Sequence, residues 1–269
     1  MRLMLTDIDG TILPWGKSEV TPRVREAFHV ARAAGHVVGV ASGRGYSWVP
    51  GFFGGDAACC ETALATNGMQ IYHEGRLVLE RSLSAEGLLA MRGVVHGWPG
   101  AGMLAFEGSQ PLLVEGTKEI LAPLFPGYAT VCKPSNELPT GTVIKANVFV
   151  AGGEEEQRAL VAALAKAVPE FDVDLARPGF SNVMPHGWNK GTAVAYLRDY
   201  LGVAPEDVFV FGDANNDLPM FRAVRNSVAV GNATPEAAAV ARWHIGTVDE
   251  DAVADAIERL AVGEFPFTE

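Results

Sequence analysis

Asp7 and Asp9 stand two residues apart at the end of a short apolar run, residues 3–5, that reads as a buried strand. In an extended chain residues two apart point to the same side, so both carboxylates enter one space. Two facing carboxylates repel unless a cation, a proton or a substrate compensates them, and such a pair does nothing for a core. The spacing therefore predicts a bound metal or a division of labour between two acids. Gly10 permits a sharp exit from the strand, and the Thr11 hydroxyl can hydrogen-bond the loop.

Other chemistry-bearing groups follow at similar places. Ser42-Gly43-Arg44 comes directly after the apolar run 37–41, and a hydroxyl followed by a glycine can hold one phosphate oxygen through side chain and backbone together. Asn67-Gly68 is first of all a turn signal, with a ligand-facing Asn67 as the alternative. Asn189-Lys190-Gly191 opens a helix, where the dipole favours anions. A lysine there is either a solvated surface residue or the partner of a phosphate bound at the helix N-terminus. Arg44 is a weaker phosphate candidate than Lys190, since a salt bridge to an acidic neighbour would also explain it. In Gly212-Asp213-Ala214-Asn215-Asn216-Asp217 two more carboxylates emerge where a strand ends and a helix begins. Asp217 alone could be a helix N-terminal acid, whereas Asp213, next to the strand, has less structural reason to be there. His186, shortly before Lys190, is either a loop residue or a substrate contact.

The elements that must position these residues are legible around them. Thr21-Pro22 supplies an N-cap and a first-turn proline, Val24, Ala27, Phe28 and Ala31 recur at helical spacing, and Gly35 closes the helix. Residues 37–41 then suit a strand buried on both faces. Strand, helix, strand implies a parallel sheet with a right-handed crossover. Ligands collect at the carboxyl ends of such strands, which puts Ser42 beside the aspartates. A strand over 63–66 and a hairpin of 70–72 with 76–79 follow. From 84 to 185 the character changes: helix-like stretches at 85–96 and 154–168, strand candidates at 103–106, 145–150 and 171–176, and Pro/Gly-rich connectors at 97–102, 124–127 and 134–141. This stretch reads as a separate α/β domain inserted into the first. A helix over 192–201, strands at 208–211 and 228–230, and helices begun by Thr234-Pro235 and Asp249 complete the sheet.

Composition narrows the class. The chain has 269 residues, 48% of them hydrophobic and 20% charged, as in ordinary globular proteins. No apolar run reaches the roughly 18 residues that span a bilayer, and aspartates interrupt the N-terminus where a signal peptide would be apolar. A cytoplasmic protein with no membrane partner is expected. The net charge of -11 argues against a nucleic-acid surface, which needs a basic face. Cys59, Cys60 and Cys132 have neither zinc-finger nor redox-motif spacing and read as reduced thiols.

Taken in order, Asp7-Ile8-Asp9-Gly10-Thr11, Ser42, Lys190 and the 212–217 segment resemble the four motifs of the haloacid dehalogenase superfamily. Most of the chain's length lies between Ser42 and Lys190, which resembles the sugar-phosphatase-like branch of Cof-type hydrolases, with a cap between the second and third motifs. The resemblance implies an α/β fold with a Rossmann-like parallel sheet core over 1–83 and 186–269 and an inserted α/β cap over 84–185. It implies a nucleophile at Asp7, an acid/base at Asp9, and phosphate contacts from Ser42 and Lys190. Gly43, Arg44, Asn67, His186 and Asn216 are the substrate-binding candidates. Asp7, Asp9, Asp213 and Asp217 form the metal set, with Asp9 acting through its backbone carbonyl. An all-oxygen donor set suits Mg²⁺. The implied activity is hydrolysis of a small phosphorylated metabolite, a sugar phosphate or similar phosphomonoester, through an aspartyl-phosphate. Dehalogenases of the superfamily lack the second aspartate, so its presence favours phosphoryl transfer. A phosphomannomutase-like mutase and a non-catalytic phospholigand or Mg²⁺ sensor are the competing readings, and the oligomeric state is left open.

Overall fold

Leu3–Thr6 (β1) is buried at every position, which a strand can be only where its sheet is covered on both faces. The computed structural model, which describes residues 1–267, sets β1 inside an eight-stranded sheet. The chain leaves β1 for Pro22–Ala33 (α1), capped by the Thr21 hydroxyl, which accepts from the Val24 amide. It re-enters the sheet at Val37–Ala41 (β2), makes the short helix Val49–Phe52 (α2), and continues through Ala63–Ala65 (β3), Gln70–His73 (β4) and Arg76–Glu80 (β5).

A second compact unit, Arg81–Trp188, then interrupts the first, which resumes at Asn189. The sequence placed the junctions near 84 and 185; the compact units divide where β5 ends and just before the cap residue of the next helix. The inserted unit contains Ala85–His96 (α3), Ala101–Glu107 (β6), Gln110–Glu115 (β7), Lys118–Leu124 (α4), Pro126–Val131 (α5), Lys133–Pro134 (β8), Ala146–Val150 (β9), Glu154–Ala167 (α6), Phe171–Val173 (β10) and Phe180–Pro185 (β11). Its strands run in the order β10-β11-β9-β6-β7-β8, antiparallel except for the β7–β8 pair. Leu104, Phe106, Leu113 and Phe149 from the sheet close on Leu121 of α4 and Tyr128 of α5 in one apolar cluster. The Pro/Gly signal at 124–127 marks the break between α4 and α5 rather than a loop, because Pro126 starts a new helix where its missing N–H is harmless. Strands β7 and β11 were not anticipated; Gln110 and Pro111 in one and Ser181 and Asn182 in the other interrupt the apolar pattern.

The first unit resumes with Lys190–Leu201 (α7), Val208–Gly212 (β12), Leu218–Ala223 (α8), Asn226–Ala229 (β13), Pro235–Val240 (α9), Trp243–His244 (β14) and Ala252–Ala261 (α10). Its sheet order is β14-β13-β12-β1-β2-β3-β4-β5, parallel from β14 through β3 and antiparallel through the β3-β4-β5 meander. The α/β class and the parallel core agree with the sequence reading. Phe28 of α1 and Ile257 and Leu260 of α10 share the apolar cluster beneath this sheet, and each such fully buried side chain stabilises by about 1.5–3 kcal/mol. Cys59, Cys60 and Cys132 are buried and unpaired with one another. No helix among the described residues is long and apolar enough to cross a membrane.

Candidate active site

β1 and β12 are neighbouring parallel strands, with Thr6 opposite Phe211. Their carboxyl ends therefore release Asp7 and Asp213 side by side. The Asp7 amide donates to the Phe211 carbonyl at 2.9 Å, extending the pairing one residue past the strand. One carboxylate oxygen from each of Asp7, Asp213 and Asp217 lies within 4.8 Å of the other two. All three residues are buried.

Lys190 meets this cluster from α7. Its Nζ donates to Asp7 Oδ1 and to Asp217 Oδ1, both at 2.7 Å. Asn189 caps the helix, its Oδ1 accepting from the Gly191 and Thr192 amides, while the Thr192 hydroxyl accepts from the Asn189 amide. The lysine is 1% exposed, so the solvated-surface alternative is excluded. Asp217 spends its second oxygen on the Asp213 and Ala214 amides, at 3.0 and 3.1 Å. The Thr11 hydroxyl donates to Asp213 Oδ1 at 3.0 Å. Gly10, at φ +81°, passes so close to Asp213 that a Cβ would meet its Oδ2 at 2.5 Å; both the backbone angle and the space require glycine.

Burial dominates the protonation chemistry. It holds the Asp7 carboxyl well above the usual range, against the pull of Lys190 and with Asp217 and Asp213 adding to it. Asp213 is pushed up to about 7, by burial first and by Asp217 second. Burial would lower the Lys190 ammonium, but Asp217 and Asp7 outweigh it and hold it above the ordinary lysine value. Fully ionised, three carboxylates would exceed one ammonium by two negative charges, an excess that helps raise Asp7 and Asp213, and every donor is a hard oxygen. A divalent hard cation such as Mg²⁺ fits that set.

Asp9 is not part of this carboxylate group. Its two oxygens accept from Arg44 Nε and Nη2 at 2.9 and 2.8 Å, a bidentate pair with both side chains partly exposed. Arg44 is thus engaged with the acid expected at Asp9. The Ser42 hydroxyl, 1% exposed, accepts from the Arg44 amide at 3.2 Å, and the Ser42 carbonyl accepts from the Asn67 amide at 2.8 Å. The strand expected over 63–66 stops at Ala65, because Thr66 and Asn67 both take positive φ, 53° and 56°. That conformation is strained for a β-branched residue. The buried Asn67 carboxamide leans against Gly43, and its Oδ1 has no hydrogen-bond partner among the described residues. Asn216 is half-buried in the short turn Asn215–Asp217. His186 belongs to the inserted unit, where its Nδ1 pairs with Asp172 Oδ1 at 2.8 Å and its side chain is 73% exposed.

Sequence reasoning missed Asn232. Its Nδ2 donates to the Gly10 carbonyl at 2.7 Å and its Oδ1 accepts from the Val248 amide at 2.9 Å, tying the loop after β1 to the one after β13. A polar residue just past a buried strand was the available signal.

Carboxylates and a buried lysine gathered at the carboxyl ends of parallel strands define an α/β enzyme of the hydrolase kind. A family model for haloacid dehalogenase-like hydrolases matches residues 4–257, and the chain belongs to that family. It is 27% identical over 271 residues to YkrA of Bacillus subtilis (strain 168), a phosphatase by name, with 97% of this chain and 98% of that protein covered. SMU.1108c from Streptococcus mutans UA159 has a similar solved structure, with a TM-score of 0.85 at 24% identity, covering 97% of this chain and 99% of that one. The fold is also that of the subclass IIB sugar phosphatase BT4131, with a TM-score of 0.79 at 21% identity over 97% of this chain and all of that one.

Proposed function

We propose that the protein is a Mg²⁺-dependent phosphatase that hydrolyses a small phosphomonoester, a sugar phosphate or similar metabolite, through an aspartyl-phosphate on Asp7. The observation that carries the reading is the contact of buried Asp7 with Lys190 at 2.7 Å beside Asp213 and Asp217. The names of YkrA and BT4131 support it. Asp7, Asp213 and Asp217 would hold the ion, with the Asp9 carbonyl as the further ligand expected from the motif. When bound, the ion supplies positive charge that lets an anionic phosphate approach the carboxylates and balances charge developing in the transition state.

The chain's own residues then perform the transfer. An Asp7 oxygen attacks phosphorus, an aspartyl O–P bond forms, and the ester O–P bond breaks. The leaving alcohol takes a proton from Asp9. A water gives its proton to Asp9 as it attacks the same phosphorus, releasing inorganic phosphate and restoring Asp7. A protonated Asp9 oxygen accepts more weakly, so the Arg44 pair must loosen as Asp9 cycles. The Ser42 hydroxyl and Lys190 hold non-bridging oxygens as charge grows on them. Asn67, Gly43 and Asn216 are further substrate contacts in this reading.

The test is phosphate release from sugar phosphates, nucleotides, phosphoglycerate-type acids and pyridoxal phosphate, with and without Mg²⁺, followed by acid-quenched mass spectrometry of the protein. A phosphorylated Asp7 that vanishes in Asp7→Asn is expected. Phosphate release persisting in that variant, or none from any ester with Mg²⁺ present, would overturn the reading.

A further inference from the structure

A second group of possible ligand atoms lies on the first unit, made of different chemistry. His29 projects from α1, while Asp56 and Cys59 stand three residues apart in the segment that leads from α2 into the short turn Ala57–Cys60. His29 Nε2 lies 2.7 Å from Asp56 Oδ2. One ligand atom from each of His29, Asp56 and Cys59 lies within 4.8 Å of the other two. We propose that His29, Asp56 and Cys59 form a binding site for a borderline-soft divalent cation of the zinc class, separate from the acidic cluster.

The donor set decides the class of ion. Asp7, Asp213 and Asp217 offer only hard oxygens, which suit Mg²⁺, whereas an imidazole nitrogen, a carboxylate oxygen and a thiolate together select Zn²⁺ or Co²⁺. Metal–ligand bonds of about 2.0–2.3 Å in a tetrahedron separate the donors by about 3.3–3.8 Å. The three atoms are therefore within about an ångström of a binding arrangement: the His29–Asp56 contact opens slightly and Cys59 moves in.

Access and charge agree with this. The His29 and Asp56 side chains are 43% and 29% exposed, so an ion can enter from solvent, while Cys59 is 1% exposed and forms the floor. The cations nearby are already engaged, Arg25 with Glu19 at 3.6 Å and Arg32 with Glu61 at 2.6 Å. Asp56 keeps its other oxygen on the Ala58 amide at 3.1 Å, which orients the carboxylate for a ligand. Binding releases one proton, from the Cys59 thiol to water, as the sulfur–metal bond forms. The bound ion would tie α1 to the segment that enters β3, a structural role with the fourth position left to water.

Cobalt titration of the full-length, metal-free protein tests the site, in excess Mg²⁺ and with a phosphine reductant. Wild type, Cys60→Ser and Cys132→Ser should each develop a thiolate-to-cobalt charge-transfer band at one equivalent. Cys59→Ser, melting like the metal-free wild type, should lose it. Because loss of even an outer-shell partner weakens a metal roughly 10-fold, His29→Ala should weaken cobalt by more than that, and this arm stands if Cys59→Ser fails to fold. No band in the folded wild type, a band that survives Cys59→Ser, or unchanged affinity in His29→Ala would overturn the proposal.

Discussion

Lys190 carries its charge almost wholly out of water, at the helix end where the macrodipole opposes a cation. The Asp7 and Asp217 carboxylates, each 2.7 Å away, are what hold it there. Removing one partner of a buried ion pair typically costs about 3–5 kcal/mol, because the other charge is left uncompensated. Lys190→Met should therefore lower the urea-unfolding free energy of the metal-free protein by that order and abolish turnover. A loss under about 1 kcal/mol, the scale of an exposed pair, would show that the carboxylates are neutral without the lysine. Asp213 gives a second prediction at this scale. Its carboxyl is raised to about 7 in the folded protein, against about 3.9 in an unfolded chain. The stability it contributes is full below about pH 4 and is lost as pH rises towards about 7, by about 1.4 kcal/mol per unit. Mg²⁺ binds the deprotonated form, so the Asp213 proton alone should weaken its affinity about tenfold for each unit below about pH 7, and the raised Asp7 carboxyl should steepen the fall. Calorimetric titration checks this directly, and an affinity flat between about pH 5 and 7 would contradict it.

At the scale of elements, the close approach of the Thr66–Gly68 turn to α7 matters most. A Cβ on Gly68, which sits at φ +90°, would meet the Ala193 Cβ at 2.3 Å, inside the first turn that carries Lys190. Overpacking of this kind costs about 1–3 kcal/mol, and the left-handed backbone adds about 1–2 more for any residue with a Cβ. Gly68→Ala should lose about 2–5 kcal/mol and turnover with it. Gly45→Ala should change neither, because Gly45 has an ordinary extended backbone and, its chain neighbours apart, no atom of the described residues within 4 Å of where a Cβ would stand; equal losses in urea denaturation and phosphate release would refute the packing argument. The same turn marks the limit of what the sequence discloses. Thr21-Pro22, the apolar run 37–41 and the Thr234-Pro235 start were legible because capping, proline placement and burial on both faces are written locally. The left-handed Thr66 was not, since nothing next to a threonine announces a strain that distant packing imposes. Of the acidic cluster and its lysine, the residues Asp7, Lys190, Asp213 and Asp217 could be picked out in order. A salt bridge from Arg44 to an acidic neighbour was among the readings, but that the acid is Asp9 was not, nor were Thr11 on Asp213 and Asn232 on Gly10, because these are meetings between separate loops.

At the scale of the whole molecule, the chain is two compact units with separate cores, one of them interrupted by the other. Every residue of the acidic cluster, Asp7, Asp213 and Asp217, and the lysine paired with two of them belong to Met1–Glu80 and the resumed stretch from Asn189. A ligand stabilises only the folded state that binds it, by about 2.7 kcal/mol when present at a hundred times its dissociation constant. Mg²⁺ at that excess should therefore slow amide exchange roughly 100-fold in β1, β2 and β12 where exchange requires the first unit to unfold. β6, β9 and β11 should be unaffected, because their hydrogen bonds close within the inserted unit. Hydrogen-exchange mass spectrometry of the metal-free and Mg²⁺-saturated protein reads both sets of strands in one experiment. Asp213→Asn is the control, since it should remove the slowing in β1 and β12 and change nothing in β6. Equal protection of both sets would mean that the cores unfold as one, and protection confined to β6 and β9 would move the metal site to the inserted unit and end the reading of Asp7 as a metal-assisted nucleophile.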